Sequence, residues 1–398
     1  MYYCDIAIVG GGASALAAAI EGARGGASIY ILERLERVGK KILVSGNGRC
    51  NLGNDNAFAG SYTGCARLAD TVLSAFGDTR DFFFSLGLYI RADSEGRLYP
   101  ASNSASSVLD ALRLECSRLG VVELCSFKVE HIRQSGGFVL LSEDGRRVQA
   151  KRVIFAFGGK AAPRLGTDGC GFSLLSSFGI EYSPLSPALS PLACKAPELR
   201  SLKGIRAVCR VTALRAGRAV AESSGEIQFG DGALSGICIF DLAAHAPDSV
   251  SINLLPELTL DEAEALFAHT VRVRGSAPLE DSFTGVFKTR RAHCLLHRAG
   301  YSRLSEPALN GGEALARSLA ETSQNFIFSV SPSSWDKAQV SYGGVYEDEL
   351  TASLELKKLV GAYVCGEAVD ILGPCGGYNL HWAWSSGRCA GHYAAKTL

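Results

Sequence analysis

The chain has 398 residues, of which 47% are apolar and 20% charged, so it holds enough apolar side chain to bury a core and is neither disordered nor low-complexity. Forty Lys and Arg balance forty Asp and Glu, which argues against a generic electrostatic grip on nucleic acid or an anionic membrane. Glycine is over-represented, at 45 of 398 residues against a usual ~7%, as where backbone turns tightly or approaches a ligand. The thirteen cysteines are scattered with no CxxC, so free thiols, a cytoplasmic setting and no metal site are expected. No signal peptide is visible, and the longest weakly polar run, Ile6 to Ile20, is too short to span a bilayer.

Ile6-Ala7-Ile8-Val9 reads as a buried parallel strand. Gly10-Gly11-Gly12-Ala13-Ser14-Ala15 follows and fits GxGxxG/A. Ala13, Leu16, Ala17 and Ile20 then recur at helical spacing until Gly25-Gly26. Ser28 to Leu32 reads as a second strand ending at Glu33. This is the βαβ setting of a dinucleotide fingerprint. Gly10 permits the turn, and Gly12 lets backbone approach a pyrophosphate at the positive end of the helix. Glu33 is placed to accept hydrogen bonds from ribose hydroxyls. Ala13, Ser14 and Arg34 complete this first set of cofactor-binding residues.

A second glycine cluster runs from Gly39 to Asn51. It reads as a loop of backbone N–H groups and cations suited to a phosphate or a polarised ring carbonyl. Lys40, Ser45, Gly46, Gly48, Arg49, Cys50 and Asn51 are its cofactor-binding candidates. Cys50, beside Arg49, is either an activated thiol or, more often for such a residue, a packed one.

With GKKILVSGNGRCN, the sequence resembles the HI0933-like (BaiN-like) family of bacterial flavoproteins, which includes the aminoacetone-oxidase-like FAD enzymes. Further motifs carry the resemblance along the chain. Gly96 to Ser102 is similar to that family's GRxFPxS segment. Val153 to Gly159 is similar to the second flavin strand of flavoproteins with two dinucleotide-binding domains. Tyr363 to Glu367, Gly376 to Leu380 and Trp382 to Gly387 resemble its C-terminal GE…D…GGYNLQWAWSSG block. Two departures stand out. His381 occupies a position where the family often has Gln, and Thr351 to Glu355 does not match its TMESK-like run.

The resemblance implies an α/β fold: a Rossmann-like FAD-binding domain with an inserted domain, part β-barrel and part helical. The flavin domain would comprise residues 1–189 and 331–398, and the insert 190–330, with its barrel part at about 190–256 and its helical part at about 257–322. It implies non-covalent FAD, with Gly158, Gly159, Gly366, Glu367, Asp370, Gly377, Tyr378, Asn379 and Leu380 as further cofactor contacts, and a backbone contact from Val129 to the adenine. The last helix, from Asn379 to near Lys396, would aim its N-terminus at the flavin's pyrimidine edge.

Other segments read from pattern. Ser104 to Leu119 is an expected helix. Phe127 to Ile132, Gly137 to Leu141 and Arg146 to Val148 form a meander leading into Val153 to Phe157. In the insert, Ile205 to Leu214, Ala219 to Glu222, Glu226 to Phe229 and Asn325 to Val330 are expected strands, and Thr259 to Thr270 and Gly311 to Glu321 helices. Two basic stretches, Lys195 to Arg218 and Lys288 to Arg303, read as solvated faces, or as a surface for an acidic substrate or nicotinamide phosphates, with nucleic acid a distant third because aromatic interleaving is sparse and net charge is zero. Tyr99, Ser102, Tyr378 and His381 are catalytic candidates by motif position. The expected function is an FAD-dependent oxidoreductase of a small molecule, with NAD(P)H or O2 as second redox partner. A flavoprotein that binds or modifies nucleic acid and a non-catalytic redox sensor are the alternatives. Oligomeric state is left open.

Overall fold

The computed structural model describes residues 1–332 and 334–398. The chain forms two compact units, one of Met1–Ser186 with Gln339–Leu398 and one of Pro187–Ala338.

The first unit is built on a seven-stranded sheet. Tyr2–Val9 lies between Ile29–Leu32 and Arg147–Phe155, parallel to both. Val122–Leu124 adds a parallel edge beside Ile29–Leu32. Arg147–Phe155 is one unbroken strand where the sequence pattern implies a meander strand followed by a separate flavin strand. Its first half pairs antiparallel with Phe138–Ser142 and its second half pairs parallel with Ala362–Val364. Ile6, Ala7 and Ile8 have no exposed surface, as strands covered on both faces require.

Register brings the ends of the parallel strands to one edge. Gly10 N–H donates to the Leu32 carbonyl, Ala156 N–H to that of Val9, and Cys365 N–H to that of Phe155. Four loops therefore leave side by side: Gly10–Gly12, the turn after Glu33, Ala156–Gly159, and Cys365–Glu367. In open α/β sheets this edge is where ligands bind.

Helices Ala13–Arg24 and Tyr378–Lys396 pack together through small residues. A Cβ on Gly387 would overlap the Ser14 carbonyl, and one on Gly391 the Ala18 carbonyl. The pairing order makes the helices parallel. The C-terminal helix begins eight residues before the level of Ala13, about 12 Å at the ~1.5 Å rise per residue. Helix Ala105–Arg118 is tied to helix Ala13–Arg24 through Glu115, which accepts from Arg24 and from Arg118 of its own helix.

The second unit carries its own sheet and core. Its strand order runs Phe326–Ser329, Ser249–Asn253, Arg206–Arg215, Arg218–Phe229, Ala233–Ser235, Leu192–Ala193, Ser331–Pro332. The first and last strands are joined by Val330 alone, so the sheet returns on itself. Arg218–Phe229 is one strand, where Ser223-Ser224-Gly225 reads as a break in sequence. Those residues stay in the ladder opposite Val211 to Cys209. The hairpin before it turns on Ala216 and Gly217, both at positive φ, as a tight two-residue turn requires. Helix Leu260–Arg274 starts at Thr259 with a capping box to Glu262.

Gly391→Ala separates two physical effects. Helix propensity alone favours alanine by about 1 kcal/mol. The Ala18 backbone leaves no room for the methyl, so overpacking should win and lower stability by about 1–3 kcal/mol. The urea midpoint should fall. A midpoint that rises would show that this helix contact is not close-packed.

Candidate functional site: the glycine-lined edge of the sheet

Gly10 has φ +106°, and a Cβ there would stand 2.5 Å from the Ala156 carbonyl oxygen. Its neighbour Gly12 is the opposite case, with no atom within 4 Å of the Cβ position. The space before helix Ala13–Arg24 is thus open, and its N-cap bears no capping side chain and no acid in the first turn. The unpaired N–H groups of that turn form a ready anion site. Glu33 is nearly buried beside it. Its Oε2 accepts from Gly11 N–H at 2.7 Å and its Oε1 from Leu35 N–H at 2.8 Å. Burial pushes its carboxyl pKa up, against the pull of those two donors. Both oxygens are thus already engaged by backbone, and each keeps a second lone pair for a hydroxyl. Arg34 pairs with Asp168 at 2.5 Å, and Lys40 lies 3.9 Å from Glu36.

The second glycine cluster is not a plain loop. Lys40–Val44 is a short helix, followed by Gly46, Asn47, Gly48 and Cys50 at φ between 55° and 82°. Asn47 and Cys50 hold a left-handed conformation that costs non-glycine residues energy and clusters at functional sites. Ser45 Oγ donates to the Ile42 carbonyl at 2.6 Å. The Arg49 guanidinium lies over the Tyr99 ring at 4.7 Å, and Gly48 faces open space. Cys50 is buried and its thiol pKa is pushed up to about 12 by desolvation, so it is a packed cysteine. Asn51 Oδ1 is buried without a partner, 2.5 Å from the Cβ position of Gly377.

Gly377, at φ +102°, closes the third glycine turn, and a Cβ there would also overlap the Gly53 carbonyl. Asn379 locks this turn with its side chain. Its Oδ1 accepts from Gly373 N–H at 3.0 Å, and its Nδ2 donates to the Gly373 carbonyl at 2.8 Å. Asn54 Nδ2 donates to the Gly376 carbonyl, and Tyr62 OH to that of Tyr378. Helix Tyr378–Lys396 begins here with no capping side chain and no acid in its first turn. Tyr378 and Leu380 are half-buried at this start. The Trp382 and Trp384 indoles donate to the carbonyls of Gly366 and Leu52, tying the helix to two glycine segments.

The Gly366–Glu367 turn leaves the same sheet edge. A Cβ on Gly366, at φ +70°, would overlap the Ser14 hydroxyl. Glu367 accepts from Lys41 Nζ at 2.8 Å and from Ser341 N–H at 2.8 Å. Ser341 Oγ in turn accepts from Lys160 N–H at 2.6 Å. A Cβ on Gly159 would stand 2.6 Å from Glu367 Oε1, while Gly158 takes φ +77°. Asp370 Oδ2 accepts from Ser183 OH at 2.8 Å, its Oδ1 is buried without a partner, and burial raises its pKa. Val129 opens a strand of the same sheet beside Ser142. Lys41 and Ser341 were not among the sequence candidates. Only the helical phase of Lys40–Val44 shows that Lys41 turns to Glu367, and Ser341 is remote in sequence.

The catalytic candidates separate. Tyr99 lies on strand Arg97–Pro100 beneath Arg49, and Ser102 is exposed in the turn that follows. His381 is buried, with Nε2–H donating to the Gly77 carbonyl at 2.9 Å. Its Nδ1 has no partner and packs 3.0 Å from the Cβ position of Gly53. Desolvation lowers its pKa, so the ring is neutral and serves as a wall behind Gly53.

These features fit a flavin dinucleotide. Two uncapped helix starts offer N–H donors, Gly12 and Gly48 leave room a Cβ would fill, and Asn51 and Asp370 hold buried acceptors awaiting donors. Glu33→Ala should weaken flavin retention by roughly tenfold to a hundredfold, the loss of a charged acceptor. Flavin fluorescence on dilution measures it, and unchanged occupancy would remove Glu33 from the site.

Residues 4–393 match the HI0933-like protein Rossmann domain. The 3-dehydro-bile acid delta(4,6)-reductase of Clostridium scindens is 37% identical over 98% of this chain and 99% of its own length. The ribosomal RNA dihydrouridine synthase of Escherichia coli K12 is 27% identical, with 96% of each chain covered. Among solved structures, the 3-ketosteroid delta1-dehydrogenase of Sterolibacterium denitrificans superposes with TM-score 0.57 over 100% of both chains at 12% identity, which shows a shared fold. No helix among the described residues is long and apolar enough to cross a membrane. With agreement along nearly its whole length and a glycine-lined edge suited to the cofactor, this chain belongs to the HI0933-like family and is an FAD-dependent oxidoreductase.

Proposed function

We propose that this enzyme reduces a carbon–carbon double bond conjugated to a carbonyl, in a flat, steroid-like small molecule. The observation that carries this reading is the 37% identity, end to end, with a reductase of a 3-dehydro-bile acid. A 3-oxo group conjugated to the 4,6 double bonds makes such a molecule a hydride acceptor. Uracil's ring double bond is conjugated to a carbonyl too, so the reaction named for the 27% identical relative is of the same class. That likeness favours, as a second reading, reduction of a base in RNA.

The bound flavin supplies hydride transfer. The chain's own residues supply position and charge. Unpaired N–H groups at the start of helix Tyr378–Lys396 would stabilise negative charge on a cofactor held there. Addition of hydride β to the carbonyl pushes electrons onto the carbonyl oxygen, and the exposed Arg49 guanidinium is the proposed group to balance them. The α carbon then needs a proton. Tyr378 and Tyr99 are the proposed donors, with Ser102 an exposed third. NADH or NADPH is the proposed reductant of the flavin.

Anaerobic mixing tests this reading. NADH or NADPH should bleach the flavin, and a 4-en-3-oxo steroid should restore its colour with a saturated product. Tyr378→Phe should slow that return roughly a hundredfold or more, while leaving bleaching unchanged. Restoration by a uridine-containing RNA and not by the steroid would establish the second reading. Restoration by O2 alone would overturn both.

A further inference from the structure

The insert holds a cavity lined by its own residues alone. It has a volume of about 380 Å³, within the ~300–1,000 Å³ usual for small-molecule sites. One wall is helix Thr289–Arg298, whose positions 290, 293, 294, 297 and 298 recur at helical spacing on one face. The facing wall is Glu198 and Ser201.

Its charges do not cancel. Glu198, the one carboxylate in the lining, is taken by Arg298, whose Nε donates to it at 2.8 Å. Arg298 also donates to the Ile327 carbonyl. Arg290 has no carboxylate partner among the described residues. Its Nη1 donates to the carbonyls of Ser201 at 3.2 Å and Lys203 at 3.4 Å. Those bonds fix the guanidinium and leave Nε and Nη2 unused. The His297 imidazole, exposed on the same face, has no hydrogen-bond partner among the described residues. His293 Nε2 bonds the Glu280 carbonyl at 3.2 Å, which makes it the protonated nitrogen and leaves Nδ1 as an acceptor. Arg291, by contrast, is turned inward over the Phe287 ring at 5.1 Å and is unavailable.

A fixed guanidinium with free donors and no counter-charge takes an oxyanion, best a phosphate that accepts in bidentate fashion. The cavity is larger than a lone phosphate. Its remaining lining, planar imidazole and guanidinium groups with one open ring acceptor, suits stacking and hydrogen bonding of an aromatic base. We propose that this cavity binds a nucleotide, with the phosphate on Arg290 and His297 and the base against His293. The ligand comes either from a free nucleotide, such as the adenylate half of a nicotinamide donor, or from one unit of an RNA strand.

Calorimetry on the full flavin-loaded chain tests it, with AMP, adenosine, inorganic phosphate, NADP+ and a short single-stranded RNA as probes. AMP should bind more tightly than either adenosine or phosphate. Arg290→Gln should weaken AMP about tenfold or more, and the exposed His297→Gln by a smaller factor, with flavin content unchanged. NADP+ tighter than AMP assigns a free dinucleotide, and RNA tighter than both assigns a strand. No AMP binding at millimolar concentration, AMP no tighter than phosphate, or equal affinity in both variants would overturn the proposal. Flavin reduction and reoxidation are read separately, so failure here leaves the proposed reaction standing.

Discussion

The contact between helices Ala13–Arg24 and Tyr378–Lys396 governs the arrangement of the flavin unit. Gly387 and Gly391 bring the two backbones together, and the parallel pairing points both N-termini the same way. Each helix start is uncapped and free of acid. Two positive ends are thus held side by side with an axial stagger of about 12 Å at ~1.5 Å per residue. A ligand with negative charge at one end and charge gathered by reduction at the other is what such a pair stabilises. A sheet alone could place one such end, at the loop after Tyr2–Val9. The second requires the C-terminus of the chain to return and pack on the first helix.

The sheet and the glycine turns then hold these ends in place. Each parallel strand passes its hydrogen bonds one residue beyond its neighbour's end, which keeps the four loops in step. Glycine is required where those loops cross: Gly10 against Ala156, Gly366 against Ser14, and Gly377 against Gly53. Polar side chains finish the turns rather than the ligand contacts. Asn379 and Asn54 bond backbone carbonyls of the third turn, and Glu367 and Ser341 brace the loop after Gly159. Of the two left-handed non-glycine residues in the second glycine cluster, Cys50 is buried with its N–H donating to the Ser45 carbonyl, and Asn47 is exposed.

Much of this was legible in the sequence because it is local. Strand, glycine turn, helix and acidic strand end occupy the first 33 residues, and each element has its own period. Helix Leu260–Arg274 is local in the same way, begun by a capping box between Thr259 and Glu262. What was not legible depends on partners far along the chain. Arg147–Phe155 reads as two pieces because its halves pair with different strands, one antiparallel and one parallel. Ser223 to Gly225 have turn composition, yet the ladder with Cys209 to Val211 keeps them extended. Lys41 rather than Lys40 meets Glu367 because five residues coil into a helix that composition did not mark. His381 sits in a motif beside glycines, but burial and the Gly77 carbonyl fix it as packing.

The same distinction explains why cofactor class is clearer than substrate. The proposed cofactor recognition rests largely on backbone: N–H groups at helix starts, and positions where a Cβ has no room or would fill a cradle. Such sites leave glycines at fixed intervals, which survive in the sequence as a visible pattern. Groups proposed to meet the substrate are side chains near the surface, Arg49 over Tyr99 and the hydroxyls of Ser102 and Tyr378. Exposed side chains carry little packing constraint, so their identities can change without disturbing the fold. On the proposed reading, substrate choice is therefore set by few residues on a frame suited to flavin chemistry.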